Sequence, residues 1–194
     1  MGEVLPKMAF DDPRCINLYR QAGRFGLPVV FDMQDRPDGY GLRDDHGLPR
    51  LERALQSCPD TVFVGHGPTF WAEISAVVPP DQRAAYPSGP VVPGGAVPRL
   101  MRGYPNLWAD TSAGSGYNAL SRDGAFGIEF MDEFQDKLMF GTDSCRRSDI
   151  EREVPNVAFH RALREKKQLS ADALAKIDWR NAARLLGLEA GEGR

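Results

Sequence analysis

The chain has 194 residues, 42% of them hydrophobic and 26% charged. This is material for one globular domain and excludes disordered, collagen-like and low-complexity polymers. Its 24 Lys and Arg against 27 Asp and Glu give a net charge of −3, with no basic block beyond Arg164-Glu165-Lys166-Lys167, so no nucleic-acid partner is expected. Three scattered cysteines, Cys15, Cys58 and Cys145, form no C-x-x-C pair, and no apolar run reaches the ~18 residues of a membrane span, so no disulfide framework, cysteine zinc site or membrane partner is expected.

The opening Met1-Gly2-Glu3-Val4-Leu5-Pro6 has neither the basic nor the apolar segment of a secretory signal, so the expected location is the cytoplasm. Asp12-Pro13 is an N-cap with proline at the first helical position, followed by Cys15, Leu18, Tyr19, Ala22 and Phe25 at helical spacing. Pro28-Val29-Val30-Phe31 is a first strand ending at Asp32. A polar loop containing His46 leads to a helix after Pro49, with Leu51, Ala54, Leu55 and Cys58 on one face. Thr61-Val62-Phe63-Val64 is a second strand ending at Gly65-His66-Gly67. Pro79-Pro80 and Tyr86-Pro87-Ser88-Gly89-Pro90 mark a structureless insertion, long enough to be a lid or wall.

Val97, Leu100 and Met101 begin a short helix before the third strand, Asn106-Leu107-Trp108-Ala109, which ends at Asp110. Phe126, Phe130 and Phe134 form a helical row ahead of Lys137-Leu138-Met139-Phe140, a fourth strand ending at Gly141-Thr142-Asp143. His160 lies in a helix from Pro155, Ser170 caps a helix through Ile177, and a last helix runs from Trp179 to Leu186, stopped by Gly187. One domain over residues 1–188 with a frayed tail, 189–194, is expected. Short, continuously apolar strands read as buried on both faces in a parallel sheet, and the four are expected to be adjacent, in chain order.

The polar tips Asp32, His66, Asp110 and Asp143 are 34, 44 and 33 residues apart, the rhythm of βα units. Glu3, 29 residues before Asp32, is a further polar tip. Such tips are where parallel α/β sheets place ligands and catalysis. Asp110, opening Asp-Thr-Ser, also reads as a turn or cap residue.

Five motifs then occur in a familiar order: Gly47-Leu48-Pro49-Arg50-Leu51-Glu52-Arg53; Gly65-His66-Gly67-Pro68 with Phe70-Trp71-Ala72-Glu73-Ile74-Ser75; Asp110-Thr111-Ser112-Ala113-Gly114-Ser115-Gly116; Gly141-Thr142-Asp143; and Asn181-Ala182-Ala183-Arg184-Leu185-Leu186-Gly187. From about residue 2 to 188 the chain resembles the amidohydrolase-related family of TIM-barrel metal-dependent hydrolases. The resemblance implies a partial (β/α)8 TIM barrel, with Glu3, Asp32, His66, Asp110 and Asp143 closing strands four to eight. It also implies that the three N-terminal βα units, with the family's His-x-His pair, are absent. Where the family carries histidine on strand five, this chain has Asp32.

The resemblance implies a divalent ion, zinc or manganese, held by Asp32, His66 and Asp143. Asp143 would be the catalytic proton acceptor and His66 the group that hydrogen-bonds the developing oxyanion. It further implies hydrolysis, or non-oxidative decarboxylation, of a small carboxylated organic substrate. Arg146, with Arg147, is placed to pair with the substrate carboxylate or to be a solvated loop residue. Trp71, with Phe70 and Tyr117, walls an aromatic pocket or simply packs. His46 and Cys145 are weaker site candidates. The alternative is a truncated, non-catalytic remnant acting as a small-molecule binding module or self-associating scaffold, since an open sheet invites homo-oligomerisation. The chain alone is expected to bind metal weakly and turn over little.

Overall fold

The computed structural model describes residues 1–36, 38–150 and 153–188. Its centre is a parallel sheet of four strands in the order β1-β2-β3-β4: β1 Val29–Asp32, β2 Phe63–His66, β3 Leu107–Asp110 and β4 Leu138–Met139. The register sets Asp32 directly beside His66, and Gly65 beside Ala109. Val4 adds a single parallel bridge to Phe31, its N–H donating to the Val30 carbonyl. The adjacent, in-order parallel arrangement expected from the apolar runs is therefore the one observed.

Helices alternate with the strands. α1, Pro13–Arg24, starts where Asp12 accepts from the Arg14 N–H, and buries Cys15, Tyr19 and Ala22. α2, Pro49–Ser57, has no cap at its own threshold, where Leu48 is left-handed at φ 57°. Asp44 does that work from upstream, its carboxylate accepting from the N–H groups of Arg50 and Leu51 at 2.9 and 2.8 Å. α3, Pro68–Ala72, follows β2, and α4, Ala96–Gly103, precedes β3. α5, Ala113–Ser121, and α6, Gly124–Glu133, lie between β3 and β4, and α7, Pro155–Glu165, follows a 3-10 turn at Arg147–Ile150.

The two final helices expected from the sequence are one run: α8, Ala171–Ala175, widens into a π turn over Lys176–Arg180 and continues as α9, Asn181–Leu185. Ser170 caps it by accepting from the Ala173 N–H. Gly187 ends it at φ +64°. The expected frayed tail, 189–194, lies outside the described residues. Among the described residues no helix is long and apolar enough to cross a membrane.

The two faces of the sheet differ. Val29, Phe31, Phe63, Leu107 and Ala109 are fully buried toward the helices. There Phe31 meets Phe10 edge-on at 4.8 Å and Phe70 at 5.6 Å, and Tyr19 meets Phe63 at 5.1 Å. On the other face Val64 is buried while its neighbours Val30 and Trp108 are half-buried, and Arg184 of α9 stacks on Trp108 at 5.1 Å. The period of two that separates these faces also sends Asp32, His66 and Asp110 to the second face. The expected burial on both faces therefore holds throughout β2 and is partial at Val30 and Trp108 on the flanking strands.

Candidate metal centre at the strand tips

Asp32 and His66 end neighbouring strands in register, and Glu3 stands one residue before the bridge to β1. A carboxylate oxygen from each acid and a ring nitrogen of His66 lie within 4.8 Å of one another. Glu3 Oε1 is 3.5 Å from His66 Nε2. Asp32 is 2% exposed, and its Oδ1 has no hydrogen-bond partner. An orphaned, buried carboxylate oxygen is costly and marks a place where an ion or ligand group belongs. Burial pushes the Asp32 pKa up to about 6; the His66 charge opposes the rise, and Glu3, Asp143 and Asp110 add to it.

The other face of the His66 ring is fixed by Asp110, whose Oδ1 lies 3.0 Å from Nδ1. That oxygen also accepts from the Ser112 N–H at 3.0 Å and its hydroxyl at 2.5 Å. Behind it, the Trp71 indole N–H donates to the Asp110 carbonyl at 3.1 Å. Asp110 is thus a turn residue and the orienter of His66 at once. With Nδ1 engaged, Nε2 is left to face Glu3, as in carboxylate–histidine–metal relays. Burial pulls the imidazolium down, but the hydrogen bond and charge of Asp110, joined by Asp32 and Glu3, outweigh it and hold His66 at about 9.

These values give a signed expectation. The folded value of His66 lies above its unfolded 6.5, so its stabilisation is complete below pH 6.5 and is lost as pH rises through 9. Asp32, raised from 3.8, acts in the same direction at lower pH. The metal-free chain should therefore melt at lower temperature at pH 9.5 than at pH 7, and Asp110→Asn should flatten that slope. Thermal unfolding followed by circular dichroism checks both; a melting point that climbs across this window would contradict them.

Two carboxylates and one imidazole are a donor set that suits a divalent ion. Beside them is a cavity of about 380 Å³ lined by Glu3, His66, Asp110, Ser112 and Asp143 among others. Asp143 is exposed, left-handed at φ 59°, and reaches this cavity rather than the three-residue cluster. Arg146 is exposed, its backbone N–H donating to Asp149, and it is not among the residues lining this cavity. Trp71 is 1% exposed, packed edge-on against Phe70 and Phe130 behind Asp110. His46 is exposed, 3.9 Å from Glu73, and Cys145 is an exposed free thiol. His160 packs in the core, bonded to Asp178 at 2.8 Å.

The insertion after α3 is fastened down by Arg83 at one end and, farther along, by Asp123, which accepts from the Val91 N–H, and Arg122, which donates to the Pro87 carbonyl. Arg83 donates to Glu73 Oε1 at 2.6 Å, to Asp35 at 3.2 Å, and to the carbonyls of Asp44 and Asp45 at 3.0 and 2.9 Å. Tyr40, in the loop after β1, has its phenol pKa raised by burial and then by the charges of Asp32, Glu3 and Asp143. Sequence reading missed Glu3 as a member of the cluster and Ser112 as a support. The available signals were the spacing of Glu3 from Asp32 and the Asp-x-Ser pattern at 110–112.

Comparison with known proteins adds the family. A search of curated proteins returned no significant match. Among solved structures, an amidohydrolase 2 from Bifidobacterium longum subsp. infantis is 14% identical with a TM-score of 0.51, over 92% of this chain and 56% of that one. A Pseudomonas putida protein provisionally described as a 2-pyrone-4,6-dicarboxylic acid hydrolase is 19% identical with a TM-score of 0.53, over 97% of this chain and 61% of that one. At such identities the likeness is one of fold, and the chain spans less than two thirds of either structure. The family model described as Amidohydrolase matches residues 18–188, and the chain belongs to that family.

Proposed function

We propose that the sheet is an arc of an eight-stranded (β/α) barrel and that its strand tips carry a metal-dependent hydrolase centre. The observation that supports this most is the buried Asp32 carboxylate, one of whose oxygens is unpartnered, gathered with Glu3 and His66 so that one ligand atom of each lies within 4.8 Å of the others. These three residues would hold a divalent ion, Zn²⁺ or Mn²⁺. When bound, such an ion lowers the pKa of water or polarises a carbonyl. Asp110 fixes the His66 tautomer so that Nε2 faces the cluster, and Ser112 holds Asp110 in place. Asp143, exposed beside the cavity, accepts a proton from the attacking water at its carboxylate and returns it to the leaving group. The Arg83-anchored insertion walls the mouth.

The test is to titrate Mn²⁺ and Zn²⁺ into the chain by calorimetry and to assay ester, lactone and carboxylated aromatic substrates. Asp32→Asn should weaken metal binding at least ~10-fold. Asp143→Asn should leave metal binding intact and remove whatever turnover is measured. Unchanged metal affinity in Asp32→Asn would defeat the reading.

A further inference from the structure

A groove of about 660 Å³ runs between α6 and the turn that joins α7 to α8, and shares no lining residue with the strand-tip cavity. Buried Leu169 and Leu174 and half-buried Ile128 give it an apolar floor. Its walls carry opposite charge. Glu129 and Asp132 are exposed on α6, three residues apart and so on one helix face, whereas Arg164 and Lys167 are exposed at the end of α7. Among the described residues Glu129, Asp132 and Lys167 form no ion pair, and Arg164 turns to Asp178 at 2.6 Å.

Lys167 is the informative residue. Its N–H donates to the Arg164 carbonyl at 3.2 Å, and the Gln168 N–H to the Leu163 carbonyl at 3.0 Å, which closes the end of α7. At φ 52° Lys167 is left-handed, in the helix-ending place that glycine fills most readily. A long side chain kept in a strained backbone region points to a use for that side chain. The turn is therefore a fixed rim that holds an ammonium group beside an apolar floor.

We propose that this groove is an isologous dimer interface, filled by the same rim of a second copy of the chain. A surface with acids on one side of an apolar floor and bases on the other is complementary to itself. A two-fold axis through the floor sets Lys167 of each copy against Glu129 and Asp132 of the other. The same operation gathers Ile128, Ala171 and the edges of Leu169 from both copies out of water. Because both halves of the contact are used at once, assembly closes at two chains. The cavity at the strand tips, lined by other residues, stays open in each copy.

Sedimentation equilibrium of the full chain is the test. The mass should double as concentration rises, and added salt should favour the monomer, because exposed charge pairs are screened. Glu129→Lys with Asp132→Lys makes both walls basic, and Lys167→Glu reverses the rim. Each variant alone should be monomeric, whereas an equimolar mixture should regain the dimeric mass, since basic walls then meet an acidic rim and the unchanged lysine meets unchanged acids. All three positions are exposed, and thermal unfolding by circular dichroism verifies that each variant is folded. Lys167→Glu carries the test by itself if the α6 variant does not fold. A wild-type chain that is monomeric at every concentration, or variants that dimerise as wild type does, would overturn the proposal. So would a folded mixture that stays monomeric, or a mass that grows past the dimer.

Discussion

Gly67→Ala is expected to abolish metal binding and to destabilise the chain by more than about 3 kcal/mol. Gly67 joins β2 to α3 at φ 96° and ψ 163°, a region that only glycine occupies without strain. It also passes against the exit of β1, so closely that a Cβ would lie 2.1 Å from Asp32 Oδ1 and 2.8 Å from the backbone of Met33. The methyl group must displace the Asp32 carboxylate, the strand end or the turn. Comparison with Asp32→Ala separates these effects. That variant should also lose metal, yet keep or raise the stability of the metal-free chain, because it removes a buried carboxylate with an orphaned oxygen. Mn²⁺ titration and thermal unfolding of both variants provide the check, and wild-type Mn²⁺ affinity in Gly67→Ala would refute the expectation.

Arg83→Leu should cost about 3–5 kcal/mol, the range for stripping a buried charge of its partner. Glu73 is 1% exposed, and among the described residues its carboxylate accepts, beyond Arg83, only the Gly47 N–H at 3.2 Å, with His46 at 3.9 Å. Removing the guanidinium leaves that negative charge in the core and releases the insertion from the carbonyls of Asp44 and Asp45. The double variant Glu73→Leu with Arg83→Leu should recover a large part of the loss, since the uncompensated charge goes too. Urea denaturation of the two single variants and the double measures the coupling. A single-variant change within about 0.5 kcal/mol would show the pair to be a dispensable surface contact.

Strands and tips were legible in the sequence because β-branched and aromatic runs such as Val29–Phe31 and Phe63–Val64 end abruptly in single polar residues. Once the sheet is parallel and in order, the meeting of Asp32 with His66 follows from register alone. Glu3 was harder, since Val4 contributes one bridged residue rather than an apolar run. α3 spans only five residues, and α5 opens on Ala113-Gly114-Ser115-Gly116, a composition that reads as loop until packing decides. The Asp44 cap was hidden by distance, because it reaches Arg50 from six positions upstream. Arg83 and Glu73 meet across an irregular segment with no period to announce them. Trp71 lies at a site motif yet serves from behind, through a hydrogen bond that only the fold reveals.

The π turn over Lys176–Arg180 makes chain length itself a determinant here. Each residue advances a helix by about 100°, and a π turn holds one more residue than the α turn it replaces. With the extra residue, the Ile177 carbonyl meets the Phe140 N–H at 2.8 Å, and Asn181 Nδ2 donates to the carbonyls of Gln135 and Leu138 at 2.6 and 2.8 Å. Deleting any one residue of the five would restore a regular helix and swing Asn181 about a quarter-turn away from both carbonyls. Many substitutions at the exposed positions of this stretch would leave that phase intact, whereas a single in-frame codon loss would not.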